Sequence, residues 1–510
     1  MILRLILGDQ LNENHSWFKQ VDDNNIYVLM EMRQETDYVK HHIQKVVAFF
    51  SAMRAFEKRI KSKGHRTHYI KLDSTDNRQT IEANLKSLIK QYKISQFQYQ
   101  LPDEYRLDQH LIEFCKSLNI NTEVFDTEHF MSSRTDLSVF YEGKKQYVME
   151  FFYRNMRKKF DLLVENNQPF GGQWNFDKNN RNKWKGSPEI PKAYLPKNEN
   201  LGAIKQMIEE VGIKTLGKFN ENHFLFPSNR PEALEQLNYF CKNLLIHFGD
   251  YQDAMHEKEI NLFHSRISFA LNVKLISPLE VVQVAIEFYK QNQDSIELSQ
   301  IEGFVRQIIG WREYIRGIYW KEMPSYASKN VLNNTNPLPD FYWTGKTKMN
   351  CLSHSINNSL ENAHAHHIQR LMITGNFALL AQIHPQKLDQ WYLGIYADAI
   401  EWVQLPNTRG MSQWADGGIV ATKPYISAAA YINKMSTYCS GCGYDRKIRT
   451  GENACPFNSL YWNFLDDKKE QFAKNNRMAM MLRLLEKIPV EELTAIKQRA
   501  ASIIQNPDEY

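Results

Sequence analysis

Over the first 130 residues, short apolar or β-branched runs alternate with stretches whose apolar positions recur at helical spacing. The runs are 2–7, 26–32, 67–72, 94–100 and 122–125; between them Ile43, Val46, Val47, Phe50 and Phe56 share one helical face, as do Ile81, Leu85 and Leu88. Strands alternating with such helices imply right-handed crossovers and a doubly wound parallel sheet covered on both faces. The first run ends in Gly8-Asp9-Gln10-Leu11, and neither G-x-G-x-x-G nor a Walker sequence follows. This predicts a ligand-binding α/β domain that lacks a standard phosphate loop and holds its ligand at the carboxyl ends of the strands. Residues 1–7 are apolar but no small-residue cleavage site follows, so they read as a strand and not a signal peptide.

From 165 to 230 the pattern changes. Asn, Gly, Pro and Lys cluster at 166–172 and 183–200, as in a long surface connection. Beyond 231 helical periodicity dominates, at 278–289, 301–319, 360–381, 388–403 and 489–504. The expected architecture is an α/β domain over 1–135, a helical start and interdomain linker over 136–230, and a large all-helical domain over 231–510.

Composition bounds this picture without redirecting it. At 510 residues, 43% hydrophobic and 24% charged, the chain is neither disordered nor collagen-like. Its net charge of +5 names no partner, so a nucleic-acid face has to come from clustering. No apolar run approaches the roughly 18 to 20 residues of a membrane span. Six cysteines are too few for a disulfide scaffold.

Four of the six form a pattern. Cys439-Ser-Gly-Cys442 is a C-x-x-C, Cys455 follows and precedes Pro456, and Cys351 lies upstream. Thiolates bind soft metals, and this set suits a structural zinc or a [4Fe-4S] cluster; spacing alone does not decide, although Cys-Pro favours the cluster. Cys115 and Cys241 sit in apolar helical stretches as ordinary core residues.

Three histidines, His364, His366 and His367, fall in a segment read as a helix starting at Glu361. His364 and His367 would then share a face, as a metal pair or beside a substrate as an acid/base group; the plainer reading is one core histidine and two at the surface. The Trp- and Tyr-bearing segments 303–314 and 389–392 are most simply core. Ser265, Arg266 and Ser268, with nearby backbone N–H groups, make an anion or diphosphate cradle.

Taken together, Phe248-Gly249-Asp250-Tyr251, Ser265-Arg266-Ile267-Ser268, Ser277-Pro278, the stretch from Val305-Arg306-Gln307 to Trp311-Arg312-Glu313, and Asp398 after Trp391 resemble the photolyase/cryptochrome family over essentially the whole chain. Leu7 to Leu11, His41-His42-Ile43-Gln44-Lys45, Gly172-Gln173-Trp174-Asn175-Phe176-Asp177 and the four cysteines are similar to its iron-sulfur bacterial subgroup, whose repair members are (6-4) photolyases. The resemblance implies FAD in the helical domain, near Tyr251, His264, Ser265, Arg266, Ile267, Ser268, Gln307, Trp311, Asp398 and Asn407. It implies a 6,7-dimethyl-8-ribityllumazine antenna near Gly8, Asp9, Gln10, Leu11, Glu35 and Tyr38, and a [4Fe-4S] cluster on Cys351, Cys439, Cys442 and Cys455. The chain departs from its relatives at Lys274, where glycine is common before Ser-Pro, at His264, where a hydroxyl usually opens the phosphate turn, and across 401–407.

The function so implied is blue-light repair of pyrimidine (6-4) pyrimidone lesions by an electron from reduced FAD. UV-damaged DNA with a flipped-out lesion is the partner. His367, with His366 beside it, is the expected proton donor; Tyr425 and Tyr431 would line the lesion pocket, and Trp391, Trp343 and Tyr392 would relay electrons to FAD. Arg181, Lys183, Lys185, Arg409 and Lys423 are candidate DNA contacts. The expected form is a monomer in the bacterial cytoplasm. The alternatives are a cryptochrome-type photoreceptor with the same cofactors and an iron-sulfur or zinc nucleic-acid-binding module, such as a primase large subunit, without light chemistry.

Overall fold

A computed structural model describes residues 1–510, the side chain of Asn179 excepted. Five parallel strands, β1 (Ile2–Leu5), β2 (Asn25–Met30), β3 (Thr67–Ile70), β4 (Gln96–Gln100) and β5 (Asn121–Phe125), form one sheet in the order β3-β2-β1-β4-β5. Every residue of β2 is buried, as its apolar run requires of a strand covered on both faces. On one face Leu3, Leu5, Ile26 and Val28 pack against Ile81, Leu85, Leu107 and Leu111 of the helices Ile81–Gln91 and Tyr105–Lys116. On the other, Ile6, Tyr27 and Leu29 share a core with the helix Ile43–Ser62, and that core continues into the helical region.

The strand order reverses direction between β1 and β4, which leaves a crevice at their carboxyl ends. Chain after β1 (Gly8, Asp9), β2 (Met32, Glu35, Tyr38) and β4 (Asp103, Glu104) meets there.

The segment 165–230 is more integrated than a surface connection. Trp184 is buried, and the helix Leu201–Glu210 places Leu201, Ile204 and Ile208 in the same core as the helix Ile43–Ser62.

Two helical readings need correction. The pattern over 360–381 is not one helix: Asn350–Asn362 ends with Ala363 in the left-handed region at φ 50°, and helix resumes only at His367. His364 and His366 therefore sit on a break, and the shared-face argument for His364 and His367 fails. Alanine favours helix, so the break is imposed by tertiary contacts. The orphan carbonyls at the helix end take donors from afar: Leu360 O lies 2.9 Å from His42 Nε2 and 2.7 Å from Lys218 N, and Glu361 O accepts from Gln44 Nε2 at 2.6 Å. The pattern over 388–403 also divides, into Pro385–Ile395 and Glu401–Leu405, with Asp398 on the connection.

Among the described residues, no helix is long and apolar enough to cross a membrane.

Candidate functional site

The crevice at the sheet's switch point is walled by Met30, Met32, Val46, Phe49, Phe50 and Met53, and closed from the helical region by Ala399 and Ile400. Carboxylates ring it. Glu35 pairs with Arg106 at 2.7 Å, Arg106 reaches Glu104 at 3.0 Å, and Lys274 bridges Asp9 and Asp103. Burial raises the Asp9 pKa to about 6 against the pull of Lys274. Asp103 Oδ1 is buried without a protein partner among the described residues. Gly8, Asp9, Glu35 and Tyr38 line this crevice as expected. Gln10 and Leu11 do not. The Gln10 amide folds beneath the turn, accepting from Leu7 N and donating to Gln100 O, and Leu11 is core, because the turn after β1 directs them inward. Lys45 was missed: its Nζ donates at 2.7 Å to Leu393 O and to Ala399 O, beside Asp398. A buried lysine in a helix opening His-His-Ile-Gln-Lys was the available signal.

The second centre gathers around Asp398. Arg370 donates to both its oxygens at 3.0 and 3.1 Å, Ser268 Oγ to Oδ2 at 2.7 Å, and Asn272 Nδ2 to its carbonyl at 2.7 Å. Burial alone would raise this carboxyl; Arg370 and then His364 hold it below the usual range. The rings of His264 and His366 stack at 4.9 Å and 17°. Burial, then Arg370, takes His364 to about 3, and burial takes His264 to about 4. His367 is open to solvent at the end of the break, yet the protein around it and the Arg370 charge lower it to about 4, so it is neutral at pH 7.

His264 Nε2, His366 Nδ1 and Arg266 Nη1 are buried and lack protein partners among the described residues. Arg266 adopts φ 57° and its other nitrogen bonds Tyr194 O, while Ser265 is half-buried on the same turn and Ile267 is core. Unsatisfied donors on one strained turn fit an anionic, acceptor-rich ligand such as a diphosphate.

Three π-helical turns, Arg306–Arg312, Arg370–Gly375 and Pro406–Ser412, carry Gln307 and Trp311, Arg370, and Asn407 respectively. Such turns cluster at functional sites, and no sequence pattern announced them. Asn407 Nδ2 is occupied by Val403 O at 2.7 Å, and Tyr251 packs on Phe263 at 5.4 Å with its hydroxyl 3.4 Å from Ser187 O.

An aromatic path leads outward from this centre. Arg370 lies 3.8 Å over Tyr396, whose ring is 5.5 Å from Tyr392 and 6.0 Å from Trp391. Trp391 contacts Tyr392 at 5.3 Å and Tyr342 at 5.0 Å, and donates Nε1–H to Tyr342 O. Trp343, the next residue, is 41% exposed. Tyr342 and Tyr396 were not anticipated.

Tyr425 and Tyr431 are half-buried, and both hydroxyl pKa values are raised by burial first; Asp177 acts on Tyr425 and Asp253 on Tyr431. Of the expected DNA contacts, Arg181, Lys185 and Lys423 are exposed, and Lys183 reaches Asn433 O. Arg409 is a correction. It is buried, pairs with Asp389 at 2.6 Å and donates to Lys329 O, so it holds helices together and has no face for DNA.

Cys351, Cys439, Cys442 and Cys455 line one small cavity with Tyr438, Tyr444, Arg446 and Phe457. Among the described residues, no three His, Cys, Asp or Glu side chains are grouped around a single-ion position. Cys351 stands in the first turn of Asn350–Asn362, and Cys455 caps Pro456–Asp467, where Pro456 suits the first helical position. Two positive helix ends and Arg446 thus face the sulfurs. Burial raises the Cys455 thiol to about 12, so a compensating metal charge suits this donor set.

Comparison with known proteins decides the family. The family described as deoxyribodipyrimidine photo-lyase-related protein matches residues 4–224. A (6-4) photolyase of Agrobacterium fabrum is 41% identical over 513 residues, covering 99% of each chain. The chain belongs to the photolyase family. The fold of this photolyase-family chain also matches a class III photolyase of Agrobacterium tumefaciens (TM-score 0.59, 14% identity, 99% of this chain and 97% of that one). A cryptochrome of Synechocystis follows (TM-score 0.55, 12% identity, 98% and 93%).

Proposed function

We propose that this chain repairs pyrimidine (6-4) pyrimidone photoproducts in UV-damaged DNA under blue light. The observation that carries the reading is the centre built on Asp398: a carboxylate held ionised by Arg370 and Ser268, near the unsatisfied Arg266 guanidinium and the unpartnered neutral imidazoles of His264 and His366, with His367 open to solvent beside it. The full-length relationship to a (6-4) photolyase supports it.

FAD fits this centre. Arg266, His264, Ser265 and the backbone of Ile267 and Ser268 would hold its diphosphate, with Tyr251, Gln307, Trp311 and Asn407 as outer contacts. When bound and reduced, FAD supplies the electron that opens the lesion. The residues of this chain do the remaining work. Arg370, fixed by Asp398 and Tyr396, supplies positive charge beside the ring system. His366 is buried and His367 faces the cleft; the desolvating protein around both, with the Arg370 charge, keeps them neutral, and an anion bound beside them raises their proton affinity, which makes His367 a donor only in the loaded cleft. Tyr425 and Tyr431 flank the flipped base. Trp391 and Tyr392, buried, pass a hole to Trp343, which alone of the three meets solvent and can release a proton.

The crevice at the switch point suits a neutral, hydroxyl-rich heteroaromatic, because Asp9, Glu35, Asp103 and Glu104 repel phosphates and offer acceptors to hydroxyls. This favours a ribityllumazine antenna. The four cysteines would carry a [4Fe-4S] cluster that ties three separate segments together. The chain would act as a monomer.

The test is a (6-4)-containing oligonucleotide illuminated with the reduced, flavin-loaded protein. Loss of the lesion is expected, and no loss beside an active control photolyase would overturn the reading. His367→Ala is expected to abolish repair while leaving flavin binding intact.

A further inference from the structure

Positive charge in this chain is concentrated in the helical start and linker between the sheet and the large helical region. Residues 144–185 contain ten Lys and Arg against four Asp and Glu, a net +6 where the whole chain carries +5, so the other 468 residues sum to −1.

The structure gives this charge a surface. The helix Met149–Lys159 buries Phe152, Tyr153 and Met156 and leaves Phe151 55% exposed, with Lys158 and Lys159 exposed beside it. Trp174 lies against this helix, its ring 5.6 Å from Arg154 and 5.4 Å from Lys158. Its carbonyl is fixed by the buried Arg157 at 2.8 Å. From Trp174 the chain leads directly to the expected lesion pocket: Phe176 N bonds Glu302, Asp177 pairs with Arg306 at 2.9 Å and with Arg181, and Arg181 acts electrostatically on Asp253 and Tyr431.

We propose that the exposed face of the helix Met149–Lys159, with Trp174, is a second DNA contact that grips the phosphate backbone of the duplex flanking the lesion. The inference rests on the repair reading. Interleaved basic and aromatic groups on a solvent-facing strip suit a polyanionic backbone. Its placement suits flanking duplex: Arg181 lies seven positions after Trp174, at most about 25 Å of chain, or about seven base pairs at roughly 3.4 Å each.

The experiment measures binding of lesion duplexes with long flanks and with flanks cut to three base pairs, as a function of salt, for the holoprotein and the double variant Arg154→Gln/Lys158→Gln. For the long duplex, the variant is expected to bind more weakly and to lose about 1.8 from the slope of log K against log salt, near 0.9 per phosphate contact. For the short duplex, the two proteins should bind alike, and repair at saturating DNA should be unchanged. Lys158→Glu should weaken long-duplex binding further, with flavin absorbance unaltered. Equal affinity and equal slope on the long duplex would overturn the proposal, including the case in which this face takes an acidic protein instead. Binding and repair of the lesion with no change in slope would remove this contact alone; failure to bind DNA of any kind would remove the repair reading with it.

Discussion

Lys274 Nζ lies 2.6 Å from Asp103 Oδ2, with both side chains withdrawn from water, and the same nitrogen donates to Asp9 O at 2.6 Å. The pair joins the chain after β4 to the turn after Ser268–Asn272, so one cation ties the crevice at the sheet's switch point to the helix whose first residue holds Asp398.

Lys274 also stands at φ 67°, in the left-handed region that favours glycine. A non-glycine residue there costs about 1–2 kcal/mol, and the buried ion pairs offset it. Lys274→Gly relieves that strain but leaves Asp9 and Asp103 facing each other without a cation. Breaking such a pair from one side typically costs about 3–5 kcal/mol. The expected net loss is about 1–4 kcal/mol by denaturant unfolding, partly restored by adding Asp103→Asn. A variant as stable as the parent would refute the role of the pair.

Acid should destabilise the protein through its buried imidazoles. His42 is fully buried between Leu360 O and Gln44 N, and burial lowers it to about 4. Because the folded value lies below the unfolded value near 6.5, its contribution is complete above pH 6.5 and is lost as pH falls toward 4. Each such group adds a slope of about 1.4 kcal/mol per pH unit in that window. Unfolding free energy measured at pH 7, 6 and 5 should fall steeply, and His42→Gln should flatten the slope by one proton. An unchanged slope in that variant would show that His42 titrates normally.

The aromatic path predicts a split between photoreduction and repair. Trp391 is completely buried and gives its N–H to Tyr342 O, so an oxidised Trp391 has no proton outlet, whereas Trp343 has water. Trp343→Phe and Trp391→Phe should slow light-driven reduction of bound flavin at least tenfold. Repair by chemically reduced protein should stay near the parent rate. Equal photoreduction in both variants would exclude the path.

Much of the fold was legible because a parallel strand covered on both faces, such as β2, must read as an apolar run; the edge strand β5, exposed over Asn121–Val124, was legible only from its β-branched residues and its place in the alternation. The crevice was half-legible: the strand-end rule located it and the family resemblance implied Gly8, Asp9, Glu35 and Tyr38, but Asp103, Glu104 and Lys45 come from other elements that only the sheet order brings near. The break at Ala363 was invisible, since its cause is a set of donors on His42, Gln44 and Lys218 acting on carbonyls far along the chain. Arg409 misled for a related reason, because a basic residue in an unassigned stretch carries no sign of a buried partner twenty residues upstream. The cysteines were readable, since their chemistry leaves few other uses for that spacing.

Those cysteines yield the prediction with the widest structural reach. Cys351 begins the helix whose far end is held by His42, Gln44 and Lys218, while Cys439 and Cys442 flank a turn next to Tyr438, which hydrogen bonds Gln369 on the segment after His367. A metal cluster at this point would therefore anchor both sides of the histidine break. Cys351→Ser or Cys455→Ser should remove iron and the broad visible absorption, because serine is a poor soft-metal ligand. With the anchor gone, amide hydrogen exchange should rise first over 438–456 and then over 363–370, before the parallel sheet loosens. Flavin content should fall less than iron content, since Arg266, Ser268 and Asp398 lie outside the cysteine cavity. Iron-free protein with parent-like exchange across 363–370 would show that the cluster does not hold this centre.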